Sequence, residues 1–331
     1  MDSEVADPLA WDLGLEEVRA LSMELPLGRP PATGRMADWW EIIRPFSLPA
    51  SLVPVAVGAA DAWWGHHTNL AALLLALLGV LLLQCGTNII NEVYDVASGV
   101  DTADTPRASR VIVQGRMDPQ VAVRGGVALL LGGVLAGAAL SWGLGLGPIP
   151  FLLGVFGAAV GYCYTAPPLQ FKYRGLGLPT EAMVMGPLMV LGAQFSQTGR
   201  FTLNGLLASL PVGLMVATII LANDMRDRDS DRAAGARTFA VLAGPRVAAS
   251  GYVLLTTAAY CAVVWEVAAG VLPATALICL VSLPLGVRMV SHALPAAGPE
   301  GLARLDQESA ATHMVFGLLL ALGLWWAALH V

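Results

Sequence analysis

The sequence predicts an all-α, polytopic membrane protein: a bundle of nine transmembrane helices with two aspartate-rich helix ends on its cytosolic side. Three observations lead there. Hydrophobic residues make up 56% of the 331 positions and charged residues only 13%, against roughly 25% charged in ordinary soluble domains. Apolar runs that approach or cross a bilayer, which takes about 20 helical residues, recur at 46–64, 69–91, 120–143, 146–166, 181–197, 202–223, 243–266, 270–288 and 311–329. Basic residues fall in alternate connections between these runs.

The same composition excludes other classes. A mean hydropathy of +0.67 and long apolar runs rule out a disordered chain, a collagen and a disulfide scaffold. The net charge is -6 and no basic block exists, so nucleic acid is not an expected partner. Cys85, Cys163, Cys261 and Cys279 each stand alone in an apolar segment, as thiols packed between helices do. The five histidines show no metal-ligand spacing with a carboxylate.

The eighteen basic residues set the expected orientation. Arg19, Arg29, Arg35 and Arg44 precede the first run. Arg107, Arg110, Arg116 and Arg124 lie between the second and third, Lys172 and Arg174 after the fourth. Arg226, Arg228, Arg232, Arg237 and Arg246 follow the sixth, Arg288 and Arg304 the eighth, and Arg200 alone falls on the other side. Because Lys and Arg accumulate in cytoplasmic loops, the N-terminus is expected inside and the C-terminus outside, in a multi-pass protein of the cell (inner) membrane. Residues 1–38 form a separate acidic, cytosolic and partly disordered tail. Trp11, Leu15 and Val18 share one helical face there, and Pro26, Pro30 and Pro31 end that helix in a linker. Residues 39–331 form the membrane domain. Trp39 and Trp40 sit where an aromatic belt would. Gly133 with Gly137 and Gly157 with Gly161 are GxxxG pairs suited to close helix contact.

Two run ends carry chemistry. The second ends in TNIINEVYDVASGVDT, where Asn91 and Asp95 are one helical repeat apart, Glu92 is adjacent, and Gly99 allows a turn before Asp101 and Asp104. The sixth ends in LANDMRDRDSDRAAGART, where Asn223, Asp227 and Asp231 repeat at four-residue spacing with Asp224 beside them. Like charges at that spacing repel, so something positive is expected between them. A plain solvated helix with Asp224 paired to Arg228 is the alternative for the second site, but the pattern occurs twice at one membrane face. Hard oxygen ligands suit Mg²⁺, which is held by one or two carboxylates together with substrate phosphates. Arg107, Arg110, Lys172, Arg174 and Arg237 on the connecting loops are candidates to complete a diphosphate site, although loop topology alone also calls for positive residues. Around the fourth run, GYCYTAPPLQFKYRGLGLP brings Tyr162 and Tyr164 to the same mouth. They serve either as interfacial anchors or as electron-rich rings beside a reacting centre.

These segments resemble the UbiA superfamily of intramembrane prenyltransferases, most of all its branch acting on 1,4-dihydroxy-2-naphthoate. The likeness is carried by RPFSLPASLVPVAVG (44–58), NEVYDVASGVDT (91–102), RVIVQG (110–115), YTAPP with GLG (164–177), NDMRDRDSDRAAGARTFAVLAG (223–244) and HMVFGLLLALGL (313–324). The resemblance implies that Asn91, Asp95 and Asp101 hold one Mg²⁺ and Asn223, Asp227 and Asp231 another, on a polyprenyl diphosphate. It implies that Arg110 and Lys172 contact the diphosphate, with Arg174 and Arg237 nearby. Tyr164 would lie near the allylic carbon, and a small aromatic acceptor would be alkylated.

Three positions depart from the pattern: Glu92 replaces the usual Asp, Leu178 follows GLG where an acid is expected with Glu181 three residues on, and Ala236 replaces a basic residue beside Arg237. The rival readings are the same chemistry on homogentisate, 4-hydroxybenzoate, a chlorophyllide or a glyceryl phosphate, a cation-coupled transporter, a CDP-alcohol phosphotransferase, and a membrane scaffold. A transporter usually places its acids near the midplane, and the phosphotransferase DG and AR pattern is absent.

Overall fold

The computed structural model describes Val18 and residues 34–102, 110–294 and 298–330. Among these residues every regular element is a helix. The tail face of Trp11 and Leu15, the acid Asp104, and Arg19, Arg29 and Arg107 lie outside the described residues. Val18 is fully buried in one cluster with Ile42, Ile89 and Ile112.

The chain enters through α1 (Met36–Ile42), one 3₁₀ turn (Pro45–Ser47) and α2 (Pro49–Trp64), bent by 54° from the segment before it. The bend arises from Pro45 and Pro49, which lack an N–H to continue a helix, and from Arg44 in the left-handed region at φ 53°. Then α3 (Leu70–Ala97) starts on Asn69, whose side chain accepts from the Ala72 amide. A short α4 (Arg110–Val113) leads to α5 (Pro119–Ala138), capped by Asp118 and ending in a π turn (Ala139–Gly143). The fourth apolar run folds as α6 (Ile149–Cys163).

The next segment is α7 (Gly177–Met183) and α8 (Met189–Thr198), joined by a π turn (Val184–Leu188) around Pro187, which cannot donate to an ordinary helical ladder. The remainder is α9 (Leu203–Arg226), α10 (Arg228–Ala233), α11 (Phe239–Ala243), α12 (Pro245–Ala268), a 3₁₀ run (Ala274–Ser282), α13 (Leu283–Ala293), α14 (Gly298–Leu302) and α15 (Leu305–Ala328).

Six of these helical stretches are long and apolar enough to cross a membrane, or seven with the bent α1–α2 pair. The expected nine is not reached by that measure. The run 146–166 yields a helix of only 15 residues, and the run 181–197 is divided by the π turn. The structure also moves the end of the second run: α3 continues to Ala97, carrying Glu92 and Asp95 within the helix beyond Asn91.

Two packed clusters organise the bundle. One joins α1, α3, α4 and α5 around Ile89, Ile90, Val111 and Leu130. The other joins α2, α8, α9, α12, α13 and α15 around Val212, Tyr252, Met289 and Phe316. Small residues permit the close crossings: a Cβ at Gly86 would stand 2.7 Å from the Gly126 carbonyl, and one at Gly137 would stand 2.6 Å from the Pro150 carbonyl. Leu74, Leu78, Leu131, Leu135, Leu152, Phe156 and Leu254 are exposed. An outer surface this greasy suits lipid rather than water. The chain is therefore a multi-pass membrane protein.

Candidate active site

The acidic ends of α3 and α9 lie at one end of the bundle, with the loop from Tyr164 to Leu176 between them. In α3, Asn91, Glu92 and Asp95 are all buried. Gly99, at φ 73°, turns the chain back so that the Asp101 amide donates to the Asp95 carbonyl at 2.9 Å. The loop carries a cis peptide between Pro167 and Pro168 and a left-handed Gly175. Its Lys172 amide donates to the Tyr164 carbonyl at 2.9 Å, and the Arg237 amide ties the second motif to the Tyr173 carbonyl at 3.0 Å.

The Lys172 ammonium donates to Asp95 Oδ1 at 2.7 Å and to Oδ2 at 2.8 Å. The Tyr173 hydroxyl adds a bond to Oδ1 at 2.8 Å and accepts one from Ser98 Oγ at 3.1 Å. Asn91 Oδ1 accepts from Thr165 at 2.9 Å. Glu92 Oε2 pairs with Arg44 at 2.9 Å, while Glu92 Oε1 is buried without a partner.

On the second motif, Asp231 is buried, takes a bond from Thr238 at 3.0 Å on one oxygen, and has its other oxygen unpartnered. Asp224 accepts from the Phe239 amide at 3.1 Å, so the alternative pairing with Arg228 does not occur. Arg228 pairs with Asp229 instead. Asp227 caps α9 and is held by Arg226, which also reaches Asp306 at 2.5 Å. Asn223, half-buried, lies one turn earlier on α9.

Electrostatics join the two motifs through Lys172. Burial opposes its charge, and Asp95, Asp231 and Asp101 together outweigh burial, holding its pKa above the ordinary lysine value. Burial is the main cause that pushes the Asp101 carboxyl up to about 7; Asp95 adds to the push, and Arg44 and Lys172 oppose it. Burial also pushes Asp231 up to about 6, against Lys172 and Thr238. Lys172 thus brings one positive group of this chain into the field of both acidic motifs.

Beneath the loop, the buried Tyr164 phenol faces Glu181. Glu181 sits one helical turn after Leu178 in α7, on the same face.

Other candidates are not gathered in. Arg174 is exposed and donates back to the Pro168 carbonyl at 3.1 Å. The Arg237 and Arg110 side chains are exposed, and the Arg110 amide bonds Glu41 at 3.3 Å. Tyr173, Thr165, Thr238 and Arg226 carried no sequence signal, because their roles depend on partners remote in the chain. Among the described residues, no three of His, Cys, Asp and Glu already stand at metal-holding spacing. The donor set is nonetheless all oxygen, and the orphaned Asp231 and Glu92 oxygens suit a hard cation.

Comparison with known proteins agrees with this architecture. Two solved UbiA homologues share the fold. One, from Aeropyrum pernix K1, matches at TM-score 0.63 and 18% identity, covering 82% of this chain and 97% of that one. The other, from Archaeoglobus fulgidus and bound to DMAPP and Mg²⁺, matches at TM-score 0.55 and 17% identity, covering 86% and 99%. The UbiA prenyltransferase family profile matches residues 51–300. The chain belongs to the UbiA prenyltransferase family. It is 33% identical over 290 residues to the 1,4-dihydroxy-2-naphthoate octaprenyltransferase of Bacillus subtilis (strain 168), across 86% of this chain and 91% of that protein.

Proposed function

We propose that the protein transfers a polyprenyl group from an allylic polyprenyl diphosphate to 1,4-dihydroxy-2-naphthoate, a step of menaquinone biosynthesis. The observation that carries the reading is Lys172 standing between Asp95 and Asp231, with Tyr164 beneath. A cation flanked by acids from two helix ends is what a diphosphate and its counter-ions would enter. The named activity of the Bacillus relative supports the naphthoate as acceptor.

Asn91, Asp95 and Asp101 would hold one Mg²⁺, and Asn223, Asp227 and Asp231 another. Bound there with the substrate, the ions would supply positive charge against the departing diphosphate. Lys172 exchanges a carboxylate partner for a diphosphate oxygen and stabilises the charge that develops on it. Arg110 and Arg237, exposed at the mouth, reach the same group by side-chain rotation, and Arg174 lies on the same loop. The buried Tyr164 ring offers its π face to the allylic cation in a cavity poor in water. The bond to the diphosphate oxygen breaks, a ring carbon of the acceptor forms the new bond, and the carboxylate on that carbon leaves as CO₂.

The reading includes nine crossings, with α6 and the α7–α8 pair counted as spans. The acidic tail and both motifs face the cytosol, in the cell (inner) membrane. It is tested by incubating purified protein with prenyl diphosphates and a panel of aromatic acceptors, then weighing the lipid product. A prenylated, decarboxylated naphthoquinol is expected. Efficient prenylation of homogentisate or 4-hydroxybenzoate, with the naphthoate untouched, overturns the acceptor and leaves the reaction type.

A further inference from the structure

The end of the bundle remote from the acidic motifs holds a second polar site. Along α3 from Leu70 to Asp95 the separation is about 38 Å, at 1.5 Å per residue. At this remote end Trp63 meets Trp325 edge-on, with ring centroids 6.1 Å apart. Trp142, Phe201 and Trp326 are exposed at the same level. Such a ring of aromatics marks the headgroup zone of a bilayer.

A cavity of about 270 Å³ opens there, lined by Asp61, Trp64, His67, Gln194, Arg200 and Asn204 among others. Its floor is built. Asp61 is 6% exposed and Gln194 1%. Gln194 Nε2 donates to Asp61 Oδ2 and to Thr202 Oγ1, both at 2.5 Å, and Gln194 Oε1 accepts from the Thr202 amide at 3.2 Å. The glutamine is thereby committed, and it pins one carboxylate oxygen. Asp61 Oδ1 takes no bond from any described residue, and no described Lys, Arg or His pairs with the carboxylate. The carboxylate thus lines the cavity with one oxygen held by Gln194 and the other open to a ligand N–H.

The mouth has the opposite character. Arg200 is exposed on the cavity wall and makes no ion pair among the described residues, and His67 lies beside it. An acid at the floor and a guanidinium at the rim match a zwitterion that enters ammonium first with an anion behind. The volume falls near the lower end for ligand sites, about 300 Å³, which suits a headgroup better than a whole lipid. The acyl chains would remain in the bilayer against the exposed apolar flanks. We propose that this cavity binds the phosphoethanolamine headgroup of a membrane lipid, its ammonium on Asp61 and its phosphodiester on Arg200.

The test is native mass spectrometry of the full chain in detergent. Phosphatidylethanolamine, phosphatidylcholine or phosphatidylglycerol of identical acyl composition is added, with and without free O-phosphoethanolamine. The wild type is expected to retain phosphatidylethanolamine at least tenfold better than phosphatidylglycerol. Phosphatidylcholine should be weak, because a quaternary ammonium has no N–H to donate. Asp61→Asn should bring phosphatidylethanolamine retention down to the phosphatidylglycerol level, and Arg200→Gln, on the exposed rim, should weaken it severalfold. Equal retention of the three lipids by the wild type overturns the proposal, as does unchanged phosphatidylethanolamine retention in Arg200→Gln and any folded Asp61→Asn. Complete displacement by an equal concentration of free O-phosphoethanolamine would reassign the cavity to a soluble ligand. The readout is a lipid adduct, so it is independent of whether the protein transfers a prenyl group.

Discussion

Lys172 and Asp95 form a two-pronged ion pair, with the ammonium 2.7 and 2.8 Å from the two carboxylate oxygens. The pair links residues 77 positions apart and places the chain's one lysine within the field of both acidic motifs. Replacing it by a neutral isostere removes the counter-charge and leaves the acids to repel. Lys172→Met is therefore expected to lower the melting temperature of the detergent-solubilised protein without added metal, and millimolar Mg²⁺ should restore much of the loss. A melting temperature unchanged by the substitution would show that Asp95 is balanced by other groups.

Asp95→Asn and Asp227→Asn should each leave the protein inserted and folded but reduce prenyl transfer at least about 100-fold, roughly 2.7 kcal/mol of transition-state stabilisation. Asp227 is paired with Arg226, so Asp227→Asn should also loosen the clamp between α9 and Asp306 and lower stability more than Asp95→Asn does. Initial rates and melting curves on both variants check this. Near-normal, Mg²⁺-dependent turnover in either one would remove that carboxylate from the mechanism.

The raised carboxyls set a pH dependence. The folded-state pKa of Asp101, about 7, lies above its ordinary 3.8, and that of Asp231 is about 6. Between these limits the folded chain holds protons that the unfolded chain has released, so stability falls as pH rises from about 4 to 7. Asp101→Asn should flatten this slope, because an amide cannot ionise. Thermal melts across that range, without divalent metal, provide the measurement; a slope as steep in the variant as in the wild type would assign the effect elsewhere.

Orientation is tested by labelling. In a background lacking the four native cysteines, cysteines at Ser98 and Asp229, both exposed, should resist an impermeant thiol reagent on intact cells and react after permeabilisation. A cysteine at Thr68 should react on intact cells. The reverse pattern would turn the bundle over.

The sequence by itself determined what depends on composition and short-range spacing. The apolar runs specified a helical membrane bundle, because a bilayer core admits backbone only in self-satisfied helices or closed barrels. The four-residue repeats Asn91–Asp95 and Asn223–Asp227–Asp231 marked two acidic helix ends. The tertiary structure decided what depends on three-dimensional neighbours. It shortened the run at 146–166 to the 15-residue α6 and divided the run at 181–197 around Pro187, whose missing N–H acts on hydrogen bonding rather than on hydropathy. It selected Lys172 from several loop cations to bridge the motifs, left Arg174 on its own loop, and held Asp227 on Arg226. It also assembled Asp61, Gln194, Thr202 and Arg200 at the far end of the bundle. Those choices were hidden because electrostatic pairing falls off over a few ångströms, and proximity across 77 or 133 positions is created only when the helices pack.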